Sequence, residues 1–226
     1  MTRIAKQLVA AAALALALNS AGAGLAKDKK ASEARADNPA VKFNKNPYPS
    51  TYRPYPGQPV LITGATVFDG KGGRIDGGSV LLRDGKVAGL GGSLADLAVP
   101  ADAVRIDGTS KFVPPGIIDA HSHLGVYPSP GVQAHSDGNE ATAPTTAEVW
   151  AEHSVWPHDP GFSRALANGG VTSLQVLPGS ANLMGGRSAV LKNVYARTVQ
   201  GMKFPGAPYG LKMACGENPK RVYGGK

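Results

Sequence analysis

Two histidines with one residue between them, His121 and His123, follow an apolar run that begins at Gly116. In an extended strand, residues two apart point to the same face, about 7 Å apart along the chain. Both imidazoles could then reach one metal ion, and imidazole is a good ligand for zinc and similar divalent cations. In a helix the two side chains would point to nearly opposite sides. The spacing therefore predicts a metal site only if residues 116–123 form a strand, which the apolar run favours as a buried one.

The surroundings of the pair favour the metal site. Asp119 lies two residues before His121, and a long loop follows His123. In parallel barrels the chemistry sits at the carboxyl ends of the strands, which is where these histidines fall. The chain lacks the GxGxxG and GxxxxGK[ST] patterns, so the sequence does not indicate nucleotide binding. It also lacks the HExxH and GxSxG patterns of other common hydrolases.

Composition excludes further classes. The single cysteine, Cys215, allows neither an intramolecular disulfide nor a CxxC metal site. The net charge is +8, but the basic residues are scattered along the chain, so we do not predict nucleic-acid binding. Hydrophobic residues make up 42% of the chain, which is enough for a folded core.

The amino-terminal region predicts export. Residues 1–26 combine a basic start, an apolar stretch and the small-residue sequence Ala21-Gly22-Ala23, which is typical of a secretory signal peptide. We therefore expect a periplasmic or secreted protein with no stable membrane anchor after cleavage. Residues 27–58, rich in Lys, Asp, Asn and Pro, predict an extended linker. We expect its tyrosines to dock on the folded body or stay disordered, and binding of a partner is the alternative.

Two folded regions are expected after the linker. Residues 59–115 consist of short β-branched runs separated by turns, with Asp84-Gly85 as a two-residue hairpin. From residue 116 the pattern predicts a strand, a long loop, a helix over 145–155, a helix from Pro160 to Asn168 with Asp159 as its cap, and a strand over 171–177. A short strand over 211–214 and a helix opening at Asn218-Pro219 follow. This order predicts a parallel α/β arrangement.

The segments "VPPGIIDAHSHLG", "NGGVTSLQVLPGSANLMGG" and "GLKMACGENPKRVYG" carry a resemblance that runs from residue 59 to the end of the chain. They resemble the metal-dependent amidohydrolase superfamily, and most closely its imidazolonepropionase-like secreted branch. The resemblance implies an α/β fold, with a small β-sandwich over 59–115 followed over 116–226 by the first part of a (β/α)8 TIM-like barrel.

The resemblance also implies a ligand set. The family takes two metal ligands from an HxH strand, a carboxylated lysine or a glutamate from strand four, two histidines from strands five and six, and an aspartate from strand eight. His121 and His123 match the first pair. Lys212 is our choice for the strand-four ligand, three βα units after His123, and Glu217 is the alternative. A bare ammonium cannot ligate a cation, so Lys212 would act as a carbamate that bridges two metals.

The implied activity is hydrolysis of carbon–nitrogen bonds in an amide, cyclic amide or dipeptide-like small molecule by a metal-activated water. One or two divalent ions are expected, zinc before others, and an oligomer is possible. Arg187 is a candidate contact for a substrate carboxylate.

A complete barrel needs about 250 residues, more than follow His123, so we expect an amino-terminal part of a longer enzyme. On this expectation the chain contains no catalytic residue, the general-base aspartate lies beyond its carboxyl end, and the isolated chain is inactive. The alternative is a non-catalytic exported β-rich binding module in which the histidine pair is a relic.

Overall fold

The computed structural model describes residues 42, 44–92 and 97–225. The chain divides into two compact units, residues 1–47 and residues 48–226, and the described strands and helices all belong to the second. The predicted signal peptide and the first part of the predicted linker lie outside the described residues. Within the described ranges, no helix has the length and apolar character needed to cross a bilayer.

The first sheet is formed by five strands, β1 (Val60–Phe68), β2 (Arg74–Arg83), β3 (Lys86–Gly91), β4 (Val104–Asp107) and β5 (Phe112–Val113). Its order is β3-β2-β1-β4, and β5 also pairs with β1. The β1–β2 and β2–β3 pairs are antiparallel, whereas β4 and β5 run parallel to β1. Ala65, Val67 and Val80 form its buried cluster.

The predicted hairpin is confirmed at Asp84-Gly85. These two residues connect β2 and β3, and both have positive φ angles, 53° and 70°. Two consecutive left-handed residues make the tight turn whose twist matches that of antiparallel strands, which is why Asp-Gly is favoured there.

The second part of the chain is mixed α/β. Its elements are β6 (Ile117–Ser122), α1 (Pro160–Gly169), β7 (Val171–Val176), β8 (Met184–Arg187), β9 (Ala189–Lys192), α2 (Val199–Met202), β10 (Leu211–Met213) and α3 (Glu217–Tyr223). One sheet has the order β6-β7-β9, with β6 parallel and β9 antiparallel to β7. A second sheet pairs β8 with β10 in antiparallel fashion.

Helix α1 forms as the sequence predicts. The Asp159 side chain accepts a hydrogen bond from the Gly161 amide at 2.8 Å, and Pro160 occupies the first turn, where its missing N–H is not needed. Gly170, with φ of 63°, ends the helix in the left-handed conformation. The helix buries Phe162 against the core of the β6-β7-β9 sheet.

The prediction of a helix over residues 145–155 is wrong. Only Ala151–His153 forms a short 3-10 turn. The Thr146 amide donates to the Met184 carbonyl, and the Arg187 amide donates to the Val149 carbonyl. The segment is irregular, with a turn at residues 147–148 before the 3-10 turn, because part of its backbone pairs with β8 and not in an α-helical pattern.

The parallel arrangement predicted between His123 and Lys212 is only partly correct. One strand–helix–strand crossover, β6-α1-β7, is present in place of the three expected units. After β7 the chain reverses into the antiparallel strands β8 and β9. Lys212 therefore lies on β10, which pairs with β8, and not on a fourth parallel strand.

Strand β6 is more exposed than predicted. Ile117 and Ile118 are 54% and 72% exposed, whereas Leu174 and Val176 on β7 are fully buried. In the described part of the chain β6 pairs only with β7, so one of its edges is free.

Residues 48–55 dock on the second part of the chain, which confirms the predicted docking for the tyrosines of this segment. The buried Lys203 ammonium donates to the Tyr48 carbonyl and forms a 2.6 Å ion pair with the buried Glu152 carboxylate. The Tyr52 ring lies under the Lys192 ammonium, and the Tyr55 hydroxyl donates to the Tyr195 carbonyl.

Candidate metal centre

Strand β6 delivers the histidine pair to one side of the sheet. His121 lies within the strand and His123 directly after it. Their ring centroids are 5.3 Å apart, and the rings meet edge to face at 83°. The Asp119 side chain accepts from the His121 amide at 3.1 Å, which holds the backbone between Asp119 and His121. The two imidazoles are thus neighbours on an extended segment.

A backbone carbonyl orients His123. Its Nδ1 lies 2.9 Å from the Leu177 carbonyl oxygen, just beyond the end of β7. Because a carbonyl can only accept, Nδ1 carries the hydrogen and Nε2 keeps its lone pair. The Leu177 amide also donates to the Ser122 carbonyl at 3.0 Å, which ties the ends of the two strands together. This is the arrangement that typically orients a metal-binding imidazole.

Lys212 lies beside the other histidine. Its Nζ is 3.2 Å from Nε2 of His121. The side chain of Lys212 is only 5% exposed, and this burial lowers the pKa of its amine. The structure therefore brings together His121, His123 and Lys212, although Lys212 arrives by a different route from the predicted one.

Ser188 fixes the start of the strand that carries Lys212. Its hydroxyl accepts from the Gly210 amide and from the Gln175 side chain, both at 2.8 Å, and its own amide donates to the Gly210 carbonyl at 2.9 Å. Gln175 belongs to β7, so the central strand sets the position of β10. Nothing in the residue pattern indicated this contact, because it joins residues far apart in sequence.

The other predicted site residues lie elsewhere or have other contacts. Glu217 is exposed in the first turn of α3, and the structure gives it no contact with His121 or His123. The Arg187 guanidinium lies 4.2 Å from the centroid of the Trp150 ring, in a cation–π contact that restrains its orientation. The described residues hold no cluster of three or more His, Cys, Asp and Glu side chains that could bind a metal.

The remaining histidines contact aromatic rings. Each packs beside a ring: His135 on Trp156, His153 on Tyr48 and Trp150, and His158 on Tyr195.

Tyr127 was not predicted at the site. Its ring centroid lies 5.4 Å from that of His123, at an angle of 89°. The amides of Val126 and Tyr127 both donate to the His123 carbonyl, and this tight turn returns Tyr127 to the histidine. Burial raises the pKa of the Tyr127 phenol, against the opposing effect of a hydrogen bond from Asn139. In the sequence, only the four-residue spacing from His123 could have indicated that Tyr127 lies beside that histidine.

Comparisons with known proteins give related sequences but no match to a protein-family model. Amidohydrolase tasK of Hapsidospora irregularis is 35% identical over 158 residues, which cover 66% of this chain and 16% of that protein. A dihydroorotase of Ligilactobacillus salivarius is 44% identical over 59 residues, 26% of this chain and 13% of that protein. The chain thus spans a small part of the length of these curated relatives.

A solved structure supports the fold. The crystal structure of an amidohydrolase from Thermotoga maritima MSB8 superposes with a TM-score of 0.65 and 44% identity, over 74% of this chain and 41% of that one. The mixed α/β fold and these relatives place the chain among proteins related to hydrolases that act on carbon–nitrogen bonds. These relatives and this structure support the amidohydrolase superfamily for this chain.

Proposed function

We propose that this chain forms the first part of the metal centre of an exported hydrolase that acts on carbon–nitrogen bonds. The observation that carries the proposal is the convergence of His121, His123 and Lys212, with 5.3 Å between the two ring centroids and 3.2 Å from Lys212 Nζ to His121 Nε2.

The donor set fits a divalent metal. His123 keeps a free Nε2 because its Nδ1 is engaged by the Leu177 carbonyl, and Nε2 of His121 lies 3.2 Å from Lys212 Nζ. Imidazole nitrogens suit zinc, which is the ion we expect first. When bound, one or two such ions would supply the Lewis acidity that activates water and polarises an amide carbonyl.

Lys212 fits this set only in a form without positive charge. Its burial favours the neutral amine, since desolvation disfavours the ammonium. A neutral amine can add to carbon dioxide: an N–C bond forms, one proton is released, and the product is a carbamate whose single negative charge is shared by two oxygens. We propose this modification at Lys212. Glu217 would need the segment before α3 to move toward the histidines.

We propose that the full protein completes the site. Its relatives are much longer than the matched segment, and the described residues contain too few donors to close a metal site. The β1–β5 sheet would then be one layer of a small β-sandwich, and β6 and β7 would be the first strands of a TIM-like barrel. The isolated chain would have little or no activity, and the general-base aspartate would come from the remainder.

The proposed substrate is a small amide, cyclic amide or dipeptide-like molecule. Arg187, held on Trp150, is a candidate partner for a substrate carboxylate. The leader pattern of residues 1–26 supports export. We propose neither a nucleic-acid partner nor a membrane anchor in the mature protein, and an oligomer is compatible with the exposed edge of β6.

Metal analysis of the full protein tests the proposal. We expect near-stoichiometric zinc after equilibration with the ion and dialysis, and a loss of zinc affinity of more than about 100-fold in His121→Ala and His123→Ala, because ligand removal exceeds the effect of removing a supporting contact. His158→Ala, a change to a histidine stacked on Tyr195, is the matched control. A well-folded protein that binds no divalent ion, or one whose zinc is unaffected by both substitutions, would contradict the proposal.

Two further measurements define the chemistry. Mass spectrometry under carbon dioxide, compared between the wild type and Lys212→Arg, tests the carbamate. A hydrolysis screen of cyclic amides, N-acyl amino acids and dipeptides tests the substrate class. The alternative, a non-catalytic binding module, is not favoured by relatives whose names are those of enzymes.

A further inference from the structure

Tyr127 occupies a defined place beside the histidine pair. Its ring meets that of His123 edge to face at 5.4 Å, and 43% of the side chain is exposed to solvent. A tyrosine this close to a candidate metal centre could either support the histidine or contact whatever binds there. The hydrogen bonds of its hydroxyl distinguish these two roles.

Asn139 fixes the direction of those hydrogen bonds. The Asn139 side-chain oxygen accepts from the Ala181 amide at 3.1 Å, so its nitrogen must be the atom that faces Tyr127. That nitrogen donates to the phenol oxygen, and the phenol hydrogen is left over. Among the residues that the structure describes, this hydrogen has no acceptor. A phenol whose oxygen is already engaged as an acceptor is prepared to act as a donor.

Two glycines leave room for the ring. A Cβ atom at Gly138 would lie 2.0 Å from the Tyr127 ring, and one at Gly179 would lie 2.2 Å from its hydroxyl oxygen. The Gly179 amide donates to the Gly138 carbonyl at 2.6 Å, so the two backbones meet behind the phenol. Any larger residue at either position would displace the phenol, so this placement of Tyr127 requires glycine at both positions.

The ring also borders open space. A cavity of about 290 Å³ is lined by residues that follow the histidine strand: Tyr127, Pro128, Gly131, Val132, Gln133, His135 and Ser136. Its size is near the lower end for small-molecule sites. Tyr127 is thus shared between the histidine pair and a cavity with polar side chains in its wall.

We propose that Tyr127 is a substrate-binding residue whose phenol donates a hydrogen bond to a carbonyl or carboxylate oxygen of a small molecule bound at the histidine pair. The proposal rests on the proposed function, since it needs a metal centre at His121 and His123. It assigns the other contacts separate tasks. Asn139 positions the phenol, and Gly138 and Gly179 provide the room for it.

The test compares Tyr127→Phe with the wild-type full protein, both loaded with zinc. The probe is acetohydroxamate, a small metal-binding molecule with a carbonyl acceptor, and its affinity is measured by calorimetry beside the zinc content. We expect unchanged zinc and an affinity weaker by about 3- to 10-fold, the usual effect of one lost hydrogen bond. Tyr195→Phe, at an exposed tyrosine remote in sequence, is the control and should bind as the wild type does.

A second pair of probes separates the two acceptors. N-acetylglycine and N-acetylglycinamide differ only in the carboxylate. A loss confined to N-acetylglycine in Tyr127→Phe assigns the phenol to the carboxylate, and equal losses assign it to the amide carbonyl.

The outcomes distinguish failure of the role proposed for Tyr127 from failure of the proposed metal centre. Zinc-loaded Tyr127→Phe that binds acetohydroxamate as tightly as the wild type overturns the role of Tyr127 and leaves the metal centre standing. A wild-type protein that binds no zinc, or binds zinc but not acetohydroxamate, overturns the metal centre as an open site, and the role of Tyr127 falls with it.

Discussion

Strands β6 and β7 are parallel neighbours with very different surroundings. Both contain β-branched or aliphatic residues, yet Ile118 on β6 is 72% exposed while Leu174 on β7 is fully buried. Strand β7 has β6 on one edge and β9 on the other, and α1 packs against it. In the described residues, β6 has a partner on one edge only.

The difference shows how the candidate site is held. Strand β7 acts as the rigid reference: its end supplies the Leu177 carbonyl to His123, and its Gln175 fixes Ser188 and thereby the start of β10. Strand β6 carries the histidines but buries little. The ligand positions therefore depend on apolar packing around β7 and on polar contacts around β6.

Removing apolar volume from β7 should have the largest effect on stability. Leu174→Ala leaves a cavity in a fully packed cluster, and we expect a loss of about 3 kcal/mol in the free energy of unfolding of the 226-residue chain. Ile118→Ala is the matched control on β6 and should cost less than about 1 kcal/mol, since that side chain is already in solvent. Urea unfolding measures both, and equal losses would remove the contrast between the strands.

Removing the polar support of the loop after β6 should have the second-largest effect on stability. The buried Asp159 carboxylate accepts from the Gly125 amide at 2.9 Å and the Ser129 amide at 3.0 Å, as well as capping α1 through Gly161. Asp159→Ala leaves these donors without their partner, and we expect a loss of about 2 kcal/mol by urea unfolding.

Ser163→Ala serves as the control for that substitution. Ser163 lies in the first turn of the same helix, but its hydroxyl is exposed and bonds only to the Pro160 carbonyl. Its replacement should leave stability within about 0.5 kcal/mol of the wild type. If Asp159→Ala were equally mild, the loop after β6 would have to be held by something other than this carboxylate.

These contrasts also show what the sequence could reveal. The Asp84-Gly85 hairpin and the caps of α1 were predictable because local chemistry determines them: two positive φ angles in one case, and a carboxylate acceptor with a proline in the other. The extended placement of His121 and His123 followed from the apolar run that begins at Gly116. Each of these signals is contained within a few consecutive residues.

The features that were missed depend on partners far away in sequence. Residues 145–155 have helix-compatible composition, but their backbone pairs with β8, some 38 residues further on. The reversal into β9 changes which strand carries Lys212, and the exposure of Ile118 depends on what lies beside β6. Neither hydrophobic pattern nor propensity reports such neighbours.

The smallest effect is expected on the open edge of β6, and it is the most informative. Ile118→Lys should change the stability of the 226-residue chain by less than about 0.5 kcal/mol, because the side chain is exposed, while a charge on a free strand edge should reduce self-association in light scattering. In the full protein the proposed barrel would cover this residue, and the same substitution would bury a lysine and lower stability by several kcal/mol. A substitution that is equally harmless in both would mean that the remaining chain does not pack on β6, which would remove the barrel from the proposal but leave the histidine pair.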